Sequence, residues 1–138
     1  MEFRFRWAKS SGEVEYIPVC TIAIQKRDKK TWLERVFKVD AGSDITFMNK
    51  EDCFNLGYNL SDCKISQYTN TNNETYRVYV RKFTMRISDY VIMNVPIGFS
   101  SNKLPMDLLG RARIFDLVSV CFDSLTKQTI FVTPETSH

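Results

Sequence analysis

The sequence predicts an all-β chain with one or two short helices. Apolar and polar side chains alternate at the strand period in several stretches, and turn-forming residues separate those stretches. Only two segments, Lys50–Gly57 and Ala112–Leu117, suit a helix. The length of 138 residues fits one domain, 1–138, built on one core.

Phe3, Phe5 and Trp7 alternate with Glu2, Arg4 and Arg6, the pattern of a half-buried strand. Ser10-Ser11-Gly12 signals a turn. Tyr16–Gln25 is rich in Ile, Val and Thr, and Trp32–Val39 alternates again; the charged run Gln25–Lys30 turns between them. Lys50–Gly57 reads as a short helix or a turn closed by Gly57. Ile65–Tyr68 and Tyr76–Val80 are strands flanking the Asn-rich tip Thr69, Asn70, Thr71, Asn72, Asn73, Glu74 and Thr75; asparagine tolerates left-handed backbone, which suits a hairpin. Phe83–Ile87 and Tyr90–Ile97 are further strands, and Gly98–Lys103 is a loop. After Leu108-Leu109-Gly110-Arg111, Ala112–Leu117 is a short helix. Val118, Val120 and Phe122 then alternate, Asp123–Lys127 turns, and Thr129–Val132 returns before Pro134.

Composition narrows the function classes. Hydrophobic residues make up 43% and charged residues 25%, a soluble globular balance. A net charge of +3 calls for neither a nucleic-acid nor a membrane partner. Tyr76–Phe83 interleaves basic and aromatic residues, but strand alternation accounts for most of that pattern. No apolar run reaches the roughly 20 residues of a membrane-spanning helix. The opening MEFRFRWAKSS lacks an apolar signal core, so a cytoplasmic protein is expected. Cys20, Cys53, Cys63 and Cys121 form no C-x-x-C pair and the single histidine is His138, so no metal is expected; in an intracellular chain the thiols are expected free. The sequons at Asn59 and Asn73 are then chance matches.

The segment that carries chemistry is Asp40-Ala41-Gly42-Ser43-Asp44, delivered by an apolar strand. A glycine beside a carboxylate permits a tight turn and the close approach of another chain. Alone, D-x-G also describes a surface hairpin turn. A second segment, Leu108-Leu109-Gly110-Arg111, answers it after several strands. Together they resemble the retropepsin family, whose pattern is D-[ST]-G-[AS]-D in one loop and aliphatic–aliphatic–Gly-Arg in another. The resemblance extends from about Tyr16 to Val132.

The resemblance implies a retropepsin-like acid-protease barrel acting as an aspartic endopeptidase without a metal or other cofactor. Asp40 would be the catalytic carboxylate, Gly42 would lie along the substrate backbone, and Asp44 would help bind it. Arg111 would hold Asp44, and residues 69–75 would form a flap over an extended peptide or protein substrate. The chain has one D-x-G loop, so a pair of carboxylates requires a homodimer. Two departures stand out. The tip lacks the glycines common in family flaps, and Ala41 replaces the family's Thr or Ser, whose hydroxyl bonds across the dimer axis. Ala41 keeps a second class open, a catalytically weak or inactive peptide-binding dimer. An unrelated β-barrel interaction domain would require both motifs to be coincidental. Asp107, without a D-x-G context, reads as a loop or capping residue; Trp7 and Trp32 read as packing residues. The terminal strands, near Phe3–Trp7 and Ile130–Val132, fit part of a dimer interface, and core or sheet-edge packing fits them at least as well.

Overall fold

In Trp32–Val39 the alternation buries Leu33, Phe37 and Val39 and leaves Glu34 and Lys38 in water, so this stretch lies as a strand with one face on the core. The computed structural model describes residues 1–9, 15–69 and 72–134. Its strands are β1 (Glu2–Arg6), β2 (Ala8–Lys9), β3 (Tyr16–Ile17), β4 (Val19–Gln25), β5 (Trp32–Val39), β6 (Thr46–Asn49), β7 (Lys64–Thr69), β8 (Thr75–Ile87), β9 (Tyr90–Ser100), β10 (Asp107–Leu109), β11 (Ser119–Asp123) and β12 (Gln128–Val132). A short helix α1 (Glu51–Asn55) and a 3-10 turn at Leu60–Asp62 lie between β6 and β7. The fold is all-β.

The main sheet runs β4-β5-β10-β6-β9-β8-β7, and an added β4–β8 pairing closes its larger part into a ring. Closure leaves fewer unpaired strand edges. The unusual insertion is β10. It lies parallel to β5, with Leu109 opposite Val39, and antiparallel to β6, with Leu108 opposite Phe47. A separate sheet, β1-β12-β11, uses both terminal segments of the chain. Phe5 meets Phe131 edge-to-face at 5.8 Å, and the Trp7 indole donates to Thr129 Oγ1 at 3.0 Å.

Two apolar clusters result. The main core includes Ile22, Phe37, Met48, Tyr90, Ile92 and Phe99, all fully buried. Each such side chain contributes about 1.5–3 kcal/mol by leaving water. A smaller cluster joins Ile45, Phe47 and Val78, flanked by half-buried Tyr68, Tyr76, Leu104 and Leu108. Strand β8 separates them: Phe83, Met85 and Ile87 face the core, while Val78 and Val80 face the smaller cluster. Gly98 is needed at that junction, because a Cβ there would stand 2.5 Å from Val78 Cγ1.

Several local expectations change. Tyr76–Val80 and Phe83–Ile87 belong to one 13-residue strand, with a register irregularity between Phe83 and Met85. The expected loop at Gly98 begins later, because Gly98–Ser100 pair with both β6 and β8. Ala112–Leu117 forms successive turns rather than a helix; Arg113 sits at φ 68°, in the left-handed region, which interrupts helical propagation. Tyr16–Gln25 is split at Pro18, which has no N–H to donate. Lys50–Gly57 does hold a helix, ended by Gly57 at φ 95°. Thr46–Asn49 and Asp107–Leu109 are strands the sequence did not announce. Of the alternating Val118, Val120 and Phe122, Phe122 is 43% exposed.

Candidate active site

Strand β5 ends where its neighbours change. Val39 N–H donates to Pro18 O at 3.0 Å, and Asp40 N–H donates to Leu109 O at 3.0 Å. The chain then turns, with Ser43 N–H on Asp40 O at 3.1 Å and Gly42 N–H on Asp40 Oδ1 at 3.0 Å. That last bond orients the carboxylate. Gly42 leaves the carboxylate room: a Cβ would stand 3.3 Å from Asp40 Oδ1 and push it aside by a few tenths of an ångström. Asp40 is half-buried, and Ala41, Gly42 and Asp44 are exposed. Ser43 is turned inward, its hydroxyl donating to Ile45 O at 2.7 Å.

The second loop locks against the first. Gly110 N–H donates to the buried Thr46 hydroxyl at 3.2 Å, Arg111 N–H to Ser43 O at 2.9 Å, and Ala112 N–H to Asp44 O at 3.0 Å. The Arg111 guanidinium donates to Asp44 Oδ1, a charge-assisted bond between two exposed side chains. Gly110 admits no side chain at all, since a Cβ would lie 2.0 Å from Ile45 O. Leu109 is buried in the core, whereas Leu108 points the other way, as alternation along β10 demands.

Together these loops form one wall of an open cleft of about 310 Å³. Asp40, Gly42, Ser43 and Asp44 line it on one side, and Phe47, Leu104, Leu108, Tyr68, Thr69 and Tyr76 supply the rest. Phe47 and Tyr68 meet edge-to-face at 5.5 Å. Tyr68 and Tyr76 are cross-strand partners beneath the tip of the β7–β8 hairpin, and Thr69 and Thr75 pair above them, their hydroxyls 3.2 Å apart. Burial raises the Tyr68 hydroxyl above its usual pKa, aided by the Asp44 charge, so it stays a neutral donor. Asn73 takes a left-handed backbone, φ 61°. Asn70 and Thr71 lie outside the described residues.

Sequence reasoning missed Phe47, Tyr68, Tyr76 and Leu104 as cleft residues. The two tyrosines had a usable signal: they stand at equal distance from the centre of the Asn-rich tip. Phe47 and Leu104 had none, because the fold of β10 between β5 and β6 brings them in.

Asp107 does not line the cleft. Its carboxyl is pushed up to about 6, by burial first and then by the charge of Asp52. Arg35 approaches Asp52 at 3.1 Å, and Asn55 donates to the same oxygen at 2.9 Å. Among the described residues no three His, Cys, Asp or Glu side chains gather as a metal site, and His138 lies outside them. No helix among them is long and apolar enough to cross a membrane.

Comparison with known proteins gives a fold. No family model matches the sequence, and no curated protein matches it. Among solved structures, the chain is similar to a retropepsin-like aspartic protease from Rickettsia conorii. The TM-score is 0.69 at 17% identity, over 95% of this chain and 91% of that one. The architecture of this chain is therefore retropepsin-like, with Asp40 and Gly110 on the two loops that its inserted strand joins.

Proposed function

We propose that the chain is a homodimeric aspartic endopeptidase whose two Asp40 carboxylates, one from each subunit, activate a water for peptide hydrolysis. The observation that carries this reading is the junction of the two loops. Asp40 stands in a cleft with its backbone bonded to Leu109 and its carboxylate oriented by Gly42 N–H. In this reading the Asp40 carboxylate is half of an acid–base pair that the chain completes only by association, because it offers no second D-x-G loop.

Two carboxylates brought together at a two-fold axis share one proton over a range of mildly acid pH, because both cannot ionise at short range. The ionised member takes a proton from the water as it attacks the scissile carbonyl. The protonated member polarises that carbonyl and then protonates the leaving amine. Asp44 and the exposed backbone at Gly42 bind the extended peptide, while Arg111 holds Asp44 in place. Residues 69–75 close over it, adding strand-like main-chain bonds. The apolar cleft wall receives a side chain of the substrate. In this reading the chain is one catalytic domain, 1–138, working in the cytoplasm without nucleic acid, membrane, metal or cofactor.

Ala41 favours a second reading, a dimer that holds peptides without cutting them. An exposed methyl cannot make the cross-axis hydrogen bond of a Thr or Ser hydroxyl, and each partner group left unsatisfied costs roughly 1–3 kcal/mol. The two readings separate in a peptide-library digest at several acid pH values. The endopeptidase cuts, and Asp40→Asn loses about 10²–10⁴-fold in rate. Binding without cleavage by either protein establishes the second reading. Equal cleavage by both, or sedimentation as a monomer with peptide bound, rejects the first. Ala41→Thr is expected to tighten the dimer by about tenfold and raise turnover; unchanged dimer affinity and turnover would refute the role given to this position.

A further inference from the structure

Away from the cleft, two cysteines face each other. Cys53 lies in α1 and is fully buried; Cys63 follows the 3-10 turn and is half-buried. Their sulfurs are 3.9 Å apart. We propose that Cys53 and Cys63 form a reversible redox pair whose disulfide staples α1 to the root of strand β7.

The intervening segment is already folded into the shape the bridge needs. Tyr58 N–H donates to Cys53 O at 3.0 Å, and Asn59 N–H donates to the Asp62 carboxylate at 2.8 Å. Cys63 N–H closes the turn on Leu60 O at 3.0 Å. These bonds hold the two thiols together before any covalent link exists. A disulfide requires sulfurs about 2.05 Å apart, so the remaining gap is about 2 Å, within reach of side-chain rotation and a small backbone shift.

The environment sets the order of events. Burial raises both thiols, Cys53 to about 12, while the Arg81 guanidinium opposes the rise at Cys63 and Asp62 adds to it. Arg81 is fixed there by stacking over Tyr58 at 4.1 Å and by donating to Asp62 O at 3.0 Å. Attack therefore begins at the more accessible Cys63. Its thiolate displaces one thiol from a low-molecular-weight disulfide such as glutathione disulfide, giving a mixed disulfide. The Cys53 sulfur then attacks the Cys63 sulfur and releases the second thiol. Overall, two protein thiols are oxidised to one disulfide and one glutathione disulfide is reduced to two thiols, with both protons retained on the products. The low thiolate fraction makes this slow, and the balance between the two forms follows the redox poise of the surroundings.

The consequence reaches the cleft through β7, which runs from beside Cys63 to Thr69 on the cleft wall. The bridge anchors the base of that hairpin arm, whether or not the cleft cuts peptides.

The test uses the full chain carrying Cys121→Ser, which removes the exposed thiol that would otherwise link molecules. Native protein is incubated with glutathione disulfide, the remaining thiols are alkylated, and digested peptides are analysed by mass spectrometry. The expected main product is a Cys53–Cys63 linked peptide that dithiothreitol abolishes. The linked form should melt about 5–10 °C higher than the reduced form. Adding Cys63→Ser, at a half-buried position, should remove both the link and the rise. A mixed disulfide that persists at Cys63, a link from Cys53 to Cys20, no link at all, or a link without a rise in melting temperature would each overturn the proposal.

Discussion

The two apolar clusters on either side of β8 are made of similar residues and do different work. The main core is closed on all sides: Phe99, Ile92 and Tyr90 are fully buried and touch only protein. The cleft cluster is closed on one side only. Ile45, Phe47 and Val78 form its floor, while Tyr68, Tyr76, Leu104 and Leu108 remain half-buried against open space. Burial energy unspent in folding is available for a ligand, which is why the proposed reading places the substrate against the second cluster. The difference comes from the inserted strand β10, whose Leu109 completes the core and whose Leu108 faces the cleft.

The severest way to break this division is at the strand's end. Gly110→Ala would drive a methyl group into Ile45 O and force β10 away from β6, damaging core and cleft together. The expected loss is about 4 kcal/mol or more, enough to leave little folded protein. Urea unfolding with a normal midpoint would show that the loops do not interlock as described.

Next comes a matched pair. Phe99→Ala, in the closed core, should cost about 3–5 kcal/mol in urea unfolding. Tyr76→Ala, on the open cleft wall, should cost less, about 1–2 kcal/mol, because its side chain is only partly buried. The same Tyr76 change should weaken peptide binding about tenfold, measured by titration with a peptide that the wild-type chain binds. Comparable stability losses in the two variants would erase the distinction between the clusters.

The smallest effect concerns the polar group behind β10. Folded Asp107 keeps its proton up to about pH 6, whereas its ordinary pKa is 3.8. Between those values the folded state binds more protons, so stability falls as pH rises through this window. Asp107→Asn should remove that slope. The variant should be more stable than the wild type at pH 7 by about 1 kcal/mol, allowing for partial solvation, and should lose the advantage below pH 3.8. Parallel stability–pH curves for the two proteins would refute the burial of this carboxylate.

Much of this was legible because strand alternation is a local property. Trp32–Val39 and Tyr90–Ile97 declare a buried face without knowing their partners. The motifs Asp40-Ala41-Gly42-Ser43-Asp44 and Leu108-Leu109-Gly110-Arg111 were equally visible, because a carboxylate beside glycine and a glycine after two aliphatic residues are written in consecutive positions. The turn at 112–117 was misread for the opposite reason. Its composition suits a helix, but Arg113 takes a left-handed backbone, and Arg111 and Ala112 are tied to residues 43 and 44.

The sequence by itself determined the strand period, the acidic loop and the Leu108-Leu109-Gly110-Arg111 motif. Only the tertiary structure decided that β10 threads between β5 and β6, that Tyr68 and Tyr76 become a cleft wall, and that Cys53 faces Cys63. The physical reason is distance along the chain. Alternation and turn chemistry act between near neighbours, whereas Gly110 meets Ile45 only after the barrel has closed around them.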